Sequence, residues 1–123
     1  MKCFYHGDAD GICAGFWVSY YTNDNNPEDF IKIDYGTDFP FDIIQKDEQV
    51  YIVDYSIMPD EMERLLSITE NVVWIDHHKT AIERYKNFSR EIKGIRYDGI
   101  AGCMLTWLYF NEYNPEDENN ARL

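Results

Sequence analysis

A chain of 123 residues, 45% apolar and 16% aromatic, has the length of one domain and is too apolar for a disordered segment. Its 11 basic and 23 acidic residues give a formal charge of −12. That balance argues against this chain alone holding long duplex DNA, which needs many Lys and Arg contacts to phosphate, whereas an acidic chain attracts divalent cations.

In chain order, KCFYH reads as a short strand ending at His6, and GDADG supplies turn chemistry before an apolar helix, ICAGFWVSYY. An acidic, Asn-rich loop (TNDNNPED) leads to a second strand, FIKIDY, and FPFDIIQKDEQ reads as a short surface helix or turn. VYIVDY is a near-continuous apolar strand ending in Asp54. SIMPDEMERLLSITEN predicts a helix, with Ser56 as its cap, Pro59 in its first turn, and Met62, Leu65, Leu66 and Thr69 at helical spacing. VVWID is the next buried strand, residues 79–87 a short helix, KGIRYD a further extended piece and IAGCMLTWLYFNEY a last apolar helix. The polar segment NPEDENNARL follows as a tail. This alternation predicts an α/β, three-layer, Rossmann-like domain over residues 1–113, its mostly parallel sheet flanked by helices, with a polar tail over 114–123.

The cysteines, Cys3, Cys13 and Cys103, are odd in number and lack CxxC spacing. They speak against a zinc knuckle or a disulfide framework and suit a reducing compartment. No apolar run reaches the ~18–20 residues of a membrane helix, and no leader opens the chain. The expected setting is the cytoplasm, away from membranes.

Ligands of open parallel sheets bind at the carboxyl ends of the strands. Three predicted strands end in related chemistry there: His6-Gly7-Asp8-Ala9-Asp10, Asp54, and Asp76-His77-His78. Adjacent strands lie about 4.8 Å apart, so these side chains can converge. Carboxylates mixed with imidazoles suit Mn²⁺, and less exclusively Mg²⁺, Fe²⁺, Co²⁺ or Zn²⁺. So many acids together would repel and partly protonate without cations between them.

HGDADG, IVDYS and VVWIDHHKT resemble, in order, the first three motifs of the DHH phosphoesterase superfamily of RecJ-like exonucleases, nanoRNases and cyclic-dinucleotide phosphodiesterases. GIAGCMLTWLYF is similar to the helix that follows the DHH motif. The resemblance implies two Mn²⁺ ions, with His6 and Asp8 on one, Asp10 and His77 on the other, and Asp54 bridging them. It implies that His78 faces the phosphate as a catalytic group and that Asp76 orients the histidines. Lys79, beside the motif, could reach a phosphate. Gly11 would allow close backbone approach at a helix N-terminus that favours anions. The implied reaction is hydrolysis of a phosphodiester or phosphomonoester in a small nucleotide or short single-stranded oligonucleotide, by a hydroxide held between the two ions.

Simpler roles compete at single positions. Asp8 or Asp10 alone could cap the first helix, and His6 could be an ordinary half-buried histidine. The Trp17, Tyr20, Tyr21 set and the Trp74, Trp107, Tyr109, Phe110 set read as packing residues, with base stacking by one exposed tyrosine a subsidiary role. The cations between Lys79 and Arg96 read as a solvated face, with a local Arg96–Asp98 ion pair of little consequence as an equal alternative.

The resemblance also exposes a gap. The family's fourth motif supplies an Asp to the second metal, and the acid nearest its place is Asp117, in surroundings unlike that motif. The C-terminal substrate-binding domain has no counterpart either. A fragment, a minimal form and a decayed copy are three explanations. A catalytically weak metal- or nucleotide-binding module acting with a partner is the rival function.

Overall fold

The computed structural model describes residues 1–116. Strands β1 (Lys2–His6), β2 (Phe30–Ile33), β3 (Val50–Val53), β4 (Val72–Asp76) and β5 (Lys93–Arg96) form a wholly parallel sheet in the order β2-β1-β3-β4-β5. Among the described residues, four α-helices flank it: α1 (Ala9–Thr22), α2 (Pro59–Ile68), α3 (Lys79–Arg84) and α4 (Gly102–Phe110). This is the layered α/β architecture expected from the alternation of strands and helices.

The pleat sorts the core into two halves, because successive strand side chains point to opposite faces. Phe4, Val50, Ile52, Val72 and Trp74 pack on one face with Met62, Leu65 and Leu66 of α2 and Ala81 of α3. Cys3, Val53, Val73 and Ile75 pack on the other with Ala14 and Val18 of α1 and Leu105 and Leu108 of α4. Each residue of Val72–Asp76 is buried, so β4 reads as an unbroken apolar run closed by an acid. The chain starts at β1, moves to β2 on one side, then returns past β1 to β3 on the other. The order therefore reverses between β1 and β3, and a crevice opens at their carboxyl ends.

Four local expectations are corrected. Ser56 does not cap α2. The helix starts at Pro59, with Met58 at the cap position donating its N–H to the Glu61 carboxylate (2.9 Å), while the buried Ser56 N–H donates to the Tyr35 hydroxyl (3.2 Å). FPFDIIQKDEQ is not wholly a surface piece. Phe41 of its 3₁₀ turn, Phe41–Ile43, and Ile44 just after the turn enter the core with Phe39.

Arg96 does not pair with Asp98. Its guanidinium lies 5.1 Å from the Trp74 ring centroid and donates to the carbonyls of Ile92, Lys93 and Trp74, which satisfy its fork of donors. Finally, Cys13 and Cys103 are disulfide-bonded, with Cα atoms 5.3 Å apart. Ninety positions separate them in sequence, but α1 and α4 pack side by side. This pairing departs from the reading of the three cysteines as lacking a disulfide framework. Among the described residues, no helix is long and apolar enough to cross a membrane.

Candidate metal centre

The sheet register places three polar residues on one level. Tyr5 pairs with Val53 and Val53 with Ile75, so the next residues, His6, Asp54 and Asp76, stand in a row across β1, β3 and β4. Asp54 is the central one and is 1% exposed. Its backbone sits in the left-handed region (φ +55°), which costs a non-glycine residue about 1–3 kcal/mol unless its surroundings enforce it. The Asp54 N–H donating to the Ile75 carbonyl (2.9 Å) is part of that enforcement.

The carboxylate of Asp54 serves both sides. Oδ1 lies 2.8 Å from His77 Nε2, and Oδ2 lies 3.9 Å from His6 Nδ1. His6 Nδ1 is in turn 3.2 Å from Asp8 Oδ2. Asp8 also caps α1, its Oδ1 accepting the Gly11 N–H (2.8 Å). The capping role weighed for Asp8 is thus real and coexists with its place in the cluster. Asp76, fully buried, holds His78 by an Oδ1–Nδ1 contact of 2.6 Å. That contact leaves His78 Nε2 as the ring atom free to act.

Asp10 stands slightly apart. One oxygen accepts the Gly102 N–H (2.9 Å) and the other the Cys103 N–H (2.7 Å), so this carboxylate caps α4 from 92 positions away. α4 has no capping side chain of its own, and the helix dipole favours an anion there. Asp10 Oδ2 also reaches to 3.3 Å from His77 Nε2.

Two glycines make these approaches possible. A Cβ on Gly11 would lie 1.9 Å from the His6 carbonyl oxygen, and one on Gly102 would lie 2.7 Å from Asp54 Oδ1.

His6, Asp8 and Asp54 form one group whose donor atoms lie within 4.8 Å of one another, and Asp54, Asp76, His77 and His78 form a second. Asp54 belongs to both. Of the residues singled out from sequence, Asp10 lies beside the second group rather than in it. Lys79 is exposed at the start of α3 and belongs to neither. Asp117 falls outside the described residues.

Sequence reasoning missed Asp34, whose carboxylate is 3.8 Å from His6 Nε2, and Tyr35, whose ring centroid is 5.5 Å from that of His6. It also missed Gly102. Asp34 carries the same signal as the others, an acid at the carboxyl end of a predicted strand.

Burial pushes the Asp54 carboxyl up to about 8, with the charges of Asp10 and Asp8 adding to the rise. Burial likewise raises Asp76, against the opposing pull of His78. Asp8 moves the other way, held below the usual range first by the Gly11 N–H.

Three buried side-chain atoms among the described residues lack a hydrogen-bond partner: His6 Nδ1, Asp54 Oδ2 and Asp76 Oδ2. Buried polar atoms normally find partners, and all three of these belong to one cluster. The donor set, carboxylates with imidazoles, fits hard to borderline divalent cations. A cation would relieve both the mutual repulsion and the orphaned atoms. Comparison of the chain with family models, curated proteins and solved structures finds no match.

Proposed function

We propose that this chain is a divalent-metal-dependent phosphoesterase of the DHH kind, acting on nucleotides or short single-stranded oligonucleotides. The observation that carries the reading is the pair of ligand groups sharing Asp54, with their orphaned buried atoms. The ordered resemblance of HGDADG, IVDYS and VVWIDHHKT to that superfamily supports it.

His6, Asp8 and Asp54 would hold one ion and Asp54 and His77 the other, with Asp10 beside that second group, 3.3 Å from His77, and Mn²⁺ suited to the mixed donors. Divalent ions in such a pair supply Lewis acidity toward phosphoryl oxygens and lower the pKa of water. The chain's own groups do the rest. Asp76 fixes the His78 ring through Nδ1, so that a proton on Nε2 can be donated to a phosphoryl or leaving-group oxygen as charge develops. Asp54 contributes rigidity: its backbone N–H is held by the Ile75 carbonyl, and its carboxylate by the 2.8 Å contact with His77 Nε2. The net charge of −12 weighs against a long polyanion.

A second reading, metal binding without turnover, draws on Asp10, both of whose oxygens already accept amides of α4. Purified protein with Mn²⁺, assayed on pApA, cyclic dinucleotides, short single strands and a generic phosphodiester, decides between the two. Cleavage above that of Asp54→Ala and His77→Ala supports hydrolysis. Calorimetric binding of Mn²⁺ without cleavage supports the second reading, and absence of divalent binding removes both.

A further inference from the structure

Beside the acidic cluster lies a cavity of about 440 Å³, inside the roughly 300–1,000 Å³ range of small-molecule sites. It is bounded by the segment after β2, the segment leading into α2, and the exposed side of α3. His78 belongs to both the cluster and the cavity wall. Tyr35 joins them as well. Its ring meets those of His6 (5.5 Å) and His78 (6.3 Å) edge-on, and it lines the cavity.

We infer that this cavity receives the nucleoside of a phosphoester whose phosphate lies at the cluster, with the base stacking on Tyr35. The inference rests on the phosphoesterase reading and adds to it where the organic part of the substrate goes. Tyr35 stacks on Tyr55 with centroids 4.4 Å apart and planes 20° apart, yet is 52% exposed. A tyrosine backed by a second ring and half open is a rigid platform for a planar group. Its hydroxyl is tied down by Ser56, which donates its backbone N–H to it (3.2 Å) and meets it again through its own hydroxyl (3.3 Å). Ordering the platform therefore costs a ligand little. Met58, exposed on the same wall, adds polarisable apolar surface.

The charges of the wall select among ligands. Arg84 and Glu61 both line the cavity, so their charges offset one another. A neutral base suits that balance, whereas a second phosphate would meet Glu61. Arg84 has no salt-bridge partner among the described residues and offers N–H donors to base carbonyl or ring-nitrogen acceptors. The hydroxyls of Thr37 and Thr80 add edge contacts. Inorganic pyrophosphate, an anhydride, and phosphoesters without a base would leave the cavity unused.

The test is calorimetry of the Mn²⁺-loaded full chain with adenosine 5′-monophosphate, ribose 5-phosphate and inorganic phosphate. It is paired with amide chemical-shift mapping of the metal-free chain with adenosine. The monophosphate should bind about tenfold more tightly than ribose 5-phosphate, the magnitude of one base–aromatic stack. Tyr35→Leu, which keeps apolar cover on Tyr55, should erase that preference, whereas Tyr35→Phe should retain it. Arg84→Ala should weaken the monophosphate severalfold and leave ribose 5-phosphate unchanged. Adenosine should shift the amides of Gly36, Thr37 and Thr80.

Equal affinity for all three phosphates, unchanged in Tyr35→Leu, overturns the inference while leaving the metal centre standing. Should Tyr35→Leu fail to fold, adenosine shifts that bypass those amides overturn it just as well. Failure to bind Mn²⁺ and phosphate at all removes the phosphoesterase reading and this inference with it.

Discussion

At the amino end of the sheet, Glu48 lies between the Lys2 ammonium (3.0 Å) and the chain's terminal amine (3.4 Å), while Asp29 sits 3.9 Å from Lys2. Burial alone would raise the Glu48 carboxyl, but the Gln45 N–H and the Lys2 charge outweigh it and hold the group below its usual range. At the carboxyl end, Asp8, Asp10, Asp54 and Asp76 share a cluster with three histidines and, among the described residues, no lysine or arginine salt bridge, and Asp54 rises to about 8. The amino end is complete around Glu48. At the carboxyl end the proposed divalent ions would supply the opposing charge.

The largest expected break in this contrast is Gly11→Ala. The new Cβ collides with the His6 carbonyl, and because the neighbour is backbone it cannot step aside. The loss of stability should reach the ~3 kcal/mol upper end of overpacking, read by denaturant titration, with Mn²⁺ binding lost as His6 moves.

Next comes Asp54→Asn, whose two effects have opposite signs. Asparagine keeps the shape and tolerates the left-handed backbone while removing a buried charge beside Asp8 and Asp10. The metal-free variant should be more stable than wild type at pH 8 by about 1–3 kcal/mol. It should also lose the roughly 2.7 kcal/mol that Mn²⁺ at a hundred times its Kd confers on wild type. A destabilised metal-free variant would show that Asp54 is structural.

A third test uses pH. The raised Asp54 binds its proton more tightly in the folded chain than in the unfolded one. Its contribution is fully present below the unfolded value near 4 and is lost as pH rises through about 8. The metal-free Tm should therefore be about 5 °C lower at pH 8 than at pH 5, as thermal melts would show. Mn²⁺ should flatten that slope, because it takes the proton's place.

The smallest effect is expected at the complete end. Glu48→Gln should cost about 1 kcal/mol and leave Mn²⁺ affinity unchanged, and a change in that affinity would mean the two ends are coupled.

Much of the fold was legible because local pattern decides it. The apolar runs of β3 and β4 stop at Asp54 and Asp76, and that abrupt change marks both the end of each strand and the place where ligands gather. What escaped depends on chain segments far apart in sequence. Nothing near Asp10 announces that it caps α4, and nothing in the spacing of Cys13 and Cys103 announces their bond. Ser56 looked like a cap by residue type, but Tyr35, 21 positions earlier, claims it. Tyr35 itself looked like the end of a strand, and only the folded sheet reveals it between the cluster and the cavity. Register, by contrast, follows from strand limits, which is why the convergence of His6, Asp54 and Asp76 could be anticipated.

The Cys13–Cys103 bond has a mechanical consequence. It closes residues 13–103 into a covalent ring that contains β2, β3, β4 and β5 but not β1. Yet β1 is threaded between β2 and β3. Under tension on the two ends of the chain, the ring's interior bears no load and cannot be drawn out. The strand that yields is β1, pulled from the middle of a sheet whose other members stay tethered to one another. Since β1 carries His6 and leads directly to Asp8, force on this protein would pull the His6, Asp8 and Asp54 group apart first and leave four strands behind a closed loop.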